Sequence, residues 1–275
     1  MVDDEAATTV PSSGEHVVIR KLSIDDLVTS LGLGLRDFKS APRIGLLFGG
    51  VYAIGGMLVV ALIVALGMPY LGYPLTMGFA LIAPFICAGT YEVSRRRERG
   101  APVSWGTVVG AVWRRRGKDL GWLALVTAFT LIIWVDFAVF LFLLFYGLHI
   151  PSIPELVVSI FTTTQGFAFA VIGNVAGAVI AFFVFSITVV SVPMLTDRDV
   201  DFITAMTTSV RCVIANPLIM AVWAALIGFL LGLSILSGFI GLFVILPVLG
   251  HASWHLYRRV VGVSEATLGR SPPSS

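Results

Sequence analysis

The feature that most limits what this chain can fold into is a series of long apolar stretches with almost no charge inside them. From Leu120 to Tyr146 the single charged residue is Asp136, and about 20 apolar residues suffice to cross a hydrocarbon core about 30 Å thick. Over all 275 residues only 12% are charged and 57% are hydrophobic, with a mean hydropathy of +0.96. Soluble domains carry roughly a quarter charged residues, so the missing charges are the larger departure. The pattern predicts an all-α, polytopic membrane helical bundle and excludes a soluble enzyme, a nucleic-acid binder or a disordered chain. The net charge of +2 does not imply nucleic acid, because the basic residues flank apolar runs, where they orient helices and touch anionic lipid.

Six crossings are expected, at about 44–67, 74–91, 120–146, 166–192, 218–235 and 239–257. Breaker clusters separate the hairpins: Gly67-Met68-Pro69 and Gly72-Tyr73-Pro74, then Leu236-Ser237-Gly238. The uninterrupted run from Leu218 to Leu249 would be roughly 48 Å long as one helix, so two short crossings fit better. This arrangement puts all 18 Lys and Arg on one side, including Arg95, Arg96, Arg97 and Arg99 in the second inner segment. The rule that basic residues stay inside then predicts cytoplasmic termini. Residues 1–21 and 262–275 read as polar cytoplasmic tails around a membrane domain at 22–261. The first tail lacks the basic start and apolar middle of a signal peptide. Cys87 and Cys212 fall at different depths and are poor candidates for pairing.

Three polar stretches with helical periodicity superpose on shifts of 78 and 175 residues. Leu27, Trp105 and Phe202 coincide, as do Leu31, Val109 and Met206, then Leu35, Trp113 and Val210, each followed by Arg36, Arg114 or Arg211. Asp26, Ser104 and Asp201 align at the start as capping residues. The expected architecture is three parallel repeats of an interfacial helix plus a transmembrane hairpin.

Few residues stand out as carriers of chemistry. Asp136 lies about 24 Å along the third span by helical rise, a depth at which a carboxylate should face the bundle, be neutral or hold a partner. Asn174 lies near the same level between Gly173 and Gly177, and is the expected partner in a packing contact or a proton or cation site. His251 and His255 are four apart on one helical face. They suit a shared metal ion, which needs further ligands such as Cys87 or Glu92; two histidines on one helix cannot be opposed axial ligands of one haem. The pairs Gly45/Gly49, Gly173/Gly177 and Gly228/Gly232 predict close helix contacts, and Pro84, Pro193 and Pro247 predict kinks or helix ends. No phosphate loop, nucleophile elbow or thiol redox pair is present.

Four strings together carry a resemblance: Asp37-Phe38-Lys39-Ser40-Ala41-Pro42, Gly78-Phe79-Ala80-Leu81 running to Tyr91-Glu92-Val93-Ser94-Arg95-Arg96, Pro193-Met194-Leu195-Thr196-Asp197-Arg198-Asp199-Val200-Asp201, and Gly250-His251-Ala252-Ser253-Trp254-His255-Leu256-Tyr257. Over about residues 22–261 the chain resembles the bacterial family of predicted integral membrane proteins known as domain of unknown function 2189. The resemblance implies a multi-pass protein of the bacterial inner membrane and no catalytic residues. Three functional readings follow: a non-catalytic scaffold or accessory subunit that meets lipid and other membrane subunits, a proton- or cation-coupled transporter or channel using Asp136, and a metal- or haem-binding protein using His251 and His255.

Overall fold

The computed structural model describes residues 17–68, 71–114, 118–149 and 151–263; of the tails expected at 1–21 and 262–275, residues 1–16 and 264–275, with His16 and Arg270, lie outside them, as do the loop residues Arg115 and Arg116. Strand β1 (Val17–Ile19) is followed by α1 (Ile24–Ser40), α2 (Pro42–Ala65), α3 (Gly72–Phe79), a 3-10 turn at Ala80–Ile82, α4 (Ala83–Ile86) and α5 (Ala88–Glu98). Then come α6 (Trp105–Arg114), α7 (Lys118–Tyr146), α8 (Ile153–Thr162), α9 (Thr164–Thr188), α10 (Ser191–Asp197), α11 (Phe202–Ala215), α12 (Pro217–Leu236), α13 (Leu242–Val260) and β2 (Val261–Val263). The protein is an all-α membrane helical protein with one short strand pair. Among the described residues five helical stretches are long and apolar enough to cross a membrane: Pro42–Ala65, Gly72–Glu98, Asp119–Tyr146, Thr164–Asp197 and Pro217–Leu236.

The breakers act where they are expected. Proline lacks a backbone N–H and clashes with the carbonyl four residues back; the Gly72–Glu98 stretch is segmented around Pro84, and the fourth stretch breaks between α9 and α10, just before Pro193. Pro247 is accommodated inside α13. The last apolar run divides in a tight turn in which Gly238 and Phe239 both adopt positive φ, at 68° and 69°. Glycine takes that backbone freely. Phe239 is compensated by burying its ring, which lies against Gly56 of α2.

The amphipathic helices α1, α6 and α11 precede spans, as the sequence periodicity predicts. Asp201 caps α11 by accepting from the Thr204 amide, and Ser104 accepts from Thr107 before α6. At α1 the cap is Ser23 instead, and Asp26 is its partner in a capping box, so this helix begins earlier than the alignment expects. Two elements escape the sequence reading. Helix α8 is capped by a Ser152–Glu155 box and packs on α9 at Gly166, where a Cβ would overlap Ser159. Strand β1 pairs antiparallel with β2, Val17 opposite Val263 and Ile19 opposite Val261. Residues 17–21 therefore join the domain rather than the tail: Asn216 accepts from the Leu22 amide and donates to the Arg20 carbonyl, holding this segment against the end of α11.

Helix α13 is the centre of the fold. It packs against α1, α2, α5 and α12, and every residue from Leu249 to Tyr257 is buried. Close approach is permitted by glycine: a Cβ on Gly34 of α1 would lie 2.7 Å from the Ala252 nitrogen, and one on Gly49 of α2 would lie 2.6 Å from the Phe243 carbonyl oxygen. Gly177 likewise receives Trp134 of α7. The Gly228/Gly232 pair corrects the expectation for such motifs, since a Cβ at either position meets nothing within 4 Å; these glycines line a cavity instead. Gly49→Val should therefore lower stability by about 1–3 kcal/mol through overpacking against backbone, whereas Gly228→Ala should leave it unchanged or slightly raised, as read by thermal unfolding in detergent.

Candidate functional site

The four strings that carry the family resemblance meet at the foot of α13. Asp37, near the end of α1, is buried at 2% exposure, together with Ser94 of α5 and His251 and His255 of α13. The spacing of the two histidines puts them on one face of α13, as expected, but that face is turned into protein. His255 Nε2 lies 2.8 Å from Asp37 Oδ2, Ser94 Oγ donates to the same oxygen at 2.7 Å, and His251 Nδ1 lies 2.8 Å from Ser94 Oγ. Arg97 Nε is 3.0 Å from Asp37 Oδ1.

Proton accounting fixes the roles. A serine hydroxyl has one proton and an ionised carboxylate only accepts. With the Ser94 proton directed at Asp37, His251 Nδ1 must donate to Ser94, and His255 Nε2 must donate to Asp37. Burial by itself would raise the Asp37 carboxyl, but the hydrogen bonds from His255 and Ser94 and the charge of the histidines outweigh it and hold the group below the usual aspartate range. This is not a nucleophilic triad: Ser94 Oγ is a donor to the acid, and the residue is fully buried.

Around this core lies a ring of ion pairs. Glu98 accepts from Trp254 Nε1 at 3.0 Å and faces Arg258 at 3.2 Å. Asp197 of α10 accepts from Tyr257 Oη at 3.1 Å and Arg258 at 3.2 Å, with Arg99 at 3.4 Å. Glu92 pairs with Arg96 at 2.7 Å and Arg95 at 3.2 Å. Sequence reasoning missed Asp37, Ser94, Glu98 and Asp197, although Asp37, Ser94 and Asp197 stand inside the quoted strings. The ligands suggested for a metal at His251 and His255 do not gather: Glu92 is engaged by arginines, and Cys87 Sγ faces the Leu246 carbonyl at 3.8 Å. Among the described residues no group of three His, Cys, Asp or Glu is arranged to hold a metal ion.

Within the spans, Asp136 and Asn174 are not brought together. Asp136 is exposed on the outside of α7, and Asn174 Oδ1 accepts from Tyr73 Oη at 2.6 Å. Of the alternatives expected for Asp136, that it faces the bundle is ruled out by the seating of Trp134. Its indole fits against Gly78 and Gly177 and donates to the Pro74 carbonyl at 2.9 Å. A residue two positions further along a helix is turned about 200°, so seating Trp134 inward turns Asp136 outward. Between α3–α5, α7, α9, α12 and α13 lies a cavity of about 770 Å³, lined mainly by Gly, Ala, Leu, Ile and Phe.

Removing the Asp37 carboxylate strands His255, Ser94 and Arg97 without their acceptor, so Asp37→Ala should cost about 3–5 kcal/mol of stability. Because the folded state lowers the pKa of Asp37, its contribution is complete above the unfolded value of 3.8 and is lost as pH falls through the lower folded value. Unfolding midpoints followed from pH 7 to pH 2.5 should fall more steeply below about pH 4 in the unaltered protein than in Asp37→Asn.

No curated protein and no solved structure matches the chain. A family model does: that of the predicted integral membrane proteins of domain of unknown function 2189 matches residues 72–197, which contain the broken second span, the third and fourth spans and the carboxylates Glu92, Glu98 and Asp197.

Proposed function

We propose that this protein is a non-catalytic scaffold or accessory subunit of the bacterial inner membrane, and that its third span, α7, docks a helix of another membrane subunit. One observation carries the reading. Asp136 stands on an outward stripe of α7 formed by Trp122, Leu125, Phe129, Ile132, Phe140 and Leu143, all exposed. Only 11% of the most apolar part of this span is buried, against 22–39% in the other four. Asp136 lies close to the middle of the apolar run, where facing lipid costs roughly 2.5–3.5 kcal/mol. A neighbouring helix that hydrogen-bonds the carboxyl removes that cost. The residue does not line the cavity, which favours docking over a proton or cation pathway.

The finer topology supports the same picture. In this reading α13 is the sixth crossing, both termini are cytoplasmic, and α1, α6 and α11 lie on the inner surface as the first elements of three parallel repeats. What supports it is the gathering of all 18 Lys and Arg on one side. The polar residues of α13, which take it out of the apolar class, all lie in its C-terminal half, where every residue from Leu249 to Tyr257 is buried.

A photo-crosslinking residue in place of Ile133, beside Asp136, should give discrete protein adducts in native membranes that disappear in Asp136→Leu while the folded monomer survives. Adducts with lipid alone, or adducts indifferent to Asp136→Leu, would refute the docking role. For topology, both native cysteines are buried, so introduced thiols report cleanly. An impermeant maleimide on intact cells should label Leu148→Cys but not Arg99→Cys; labelling of Arg99→Cys from outside would reverse the orientation.

A further inference from the structure

The cavity between the spans has a polar end that the protein does not satisfy. Tyr91 of α5 and Ser253 of α13 both line it, and both are more than nine-tenths buried, at 3% and 9% exposure. Among the described residues neither hydroxyl has a hydrogen-bond partner. This is unusual for Ser253: Thr127, Thr130, Thr188 and Ser186 in the other spans all return their hydroxyls to the carbonyl four residues back. Buried hydroxyls are normally paired, because leaving one unpaired costs about 1–3 kcal/mol. Two on one cavity wall therefore call for an acceptor from outside the chain.

The two groups stand at one level. A Cβ on Gly250 would lie 3.0 Å from Cys87 Sγ and 2.3 Å from Thr90 Oγ1, and Tyr91 stacks on Trp254 with ring centroids 6.5 Å apart. Helices α5 and α13 are thereby in register, with Tyr91 one turn beyond Cys87 and Ser253 about one turn beyond Gly250. Beyond them the wall is mainly apolar, its other polar side chains Tyr73, Asn174 and Thr188 being hydrogen-bonded within the protein, and the small residues Gly177, Ala178, Gly228 and Gly232 leave its volume open. A space of about 770 Å³ is too apolar to be favourable for water and is of ligand size. No charged side chain lines it, so a phosphate or ammonium head would enter without a counter-charge, at high cost.

We propose that this cavity is a binding site for an uncharged membrane lipid, with a long apolar chain along the Gly/Ala wall and a carbonyl oxygen that accepts hydrogen bonds from Tyr91 and Ser253. Two common lipid types present that chemistry, isoprenoid quinones and diacylglycerols. The site is independent of Asp136 and of the docking role of α7.

The test is native mass spectrometry of the full chain, released from detergent micelles after titration with a short-chain benzoquinone, with dioctanoylglycerol, or with dioctanoyl phosphatidylglycerol. A one-to-one adduct with the quinone or with dioctanoylglycerol is expected, and which of them forms it identifies the source. The double variant Tyr91→Phe, Ser253→Ala should weaken that adduct about tenfold or more, the effect of two lost hydrogen bonds. Neither hydroxyl bonds to another of the described residues, so the variant should melt with the parent; single variants serve if it does not. The proposal falls if no one-to-one adduct forms, if the folded variants bind as well as the parent, or if phosphatidylglycerol binds as tightly as the uncharged lipids.

Discussion

A buried carboxylate at the base of α13 is the constraint around which the rest of the molecule is arranged. Asp37 can be ionised there only because His255, Ser94 and Arg97 all direct donors at it. Each donor comes from α5 or α13, so satisfying one side chain of α1 fixes three helices at once. That explains the otherwise costly composition of α13. His251, Ser253, His255 and Tyr257 would be poor choices for a lipid-facing helix, and they lie instead inside a ring of other helices. The N-terminal half of α13 is held by a different interaction, the backbone approach of α2 at Gly49, so the helix is fixed by polar contacts at one end and by steric fit at the other.

The distribution of unsatisfied polar groups separates the structural parts of the protein from those open to other molecules. Near the foot of α13, Glu92, Glu98 and Asp197 are each ion-paired with arginines of α5 or α13. Their mutual pairing leaves them suited to holding α5, α10 and α13 together rather than to chemistry. Capacity is left over at two places that open away from the packed core: Asp136 on the outward face of α7, and the hydroxyls of Tyr91 and Ser253 on the cavity wall. In a hydrocarbon surrounding, unused polar capacity is expensive. The first is therefore read as a helix-docking position and the second as a lipid site. Both readings describe a membrane protein that meets other components of the membrane.

Much of this was legible in the residues. Apolar run length determined the membrane class, and breakers such as Gly238 and Pro193 determined where the helices end, because both act through local backbone geometry. The amphipathic helices α1, α6 and α11 were legible for the same reason, as were the caps at Ser104 and Asp201. The pairing of β1 with β2 was not, since three residues of strand with their partner more than two hundred positions away leave no local signal. Asp136 and Asn174 share a depth, and depth can be counted from rise per residue, but rotation about the helix axis cannot be counted when both faces are apolar. The seating of Trp134 against Gly78 and Gly177 decided that rotation.

The histidines show the same division. Their spacing alone determined that His251 and His255 share a face of one helix, because that follows from 3.6 residues per turn. What the face meets was decided only by the packing of α1 and α5 around α13, which presents Ser94 and Asp37 rather than the expected Cys87 or Glu92. The sequence by itself thus determined the membrane environment, the ends of the helices and the relative positions of residues within each helix, all consequences of short-range geometry and of the transfer of side chains out of water. Partners between helices, the empty volume in the bundle and the outward turn of Asp136 depend on which surfaces fit together across distant segments, and tertiary structure alone decides that fit.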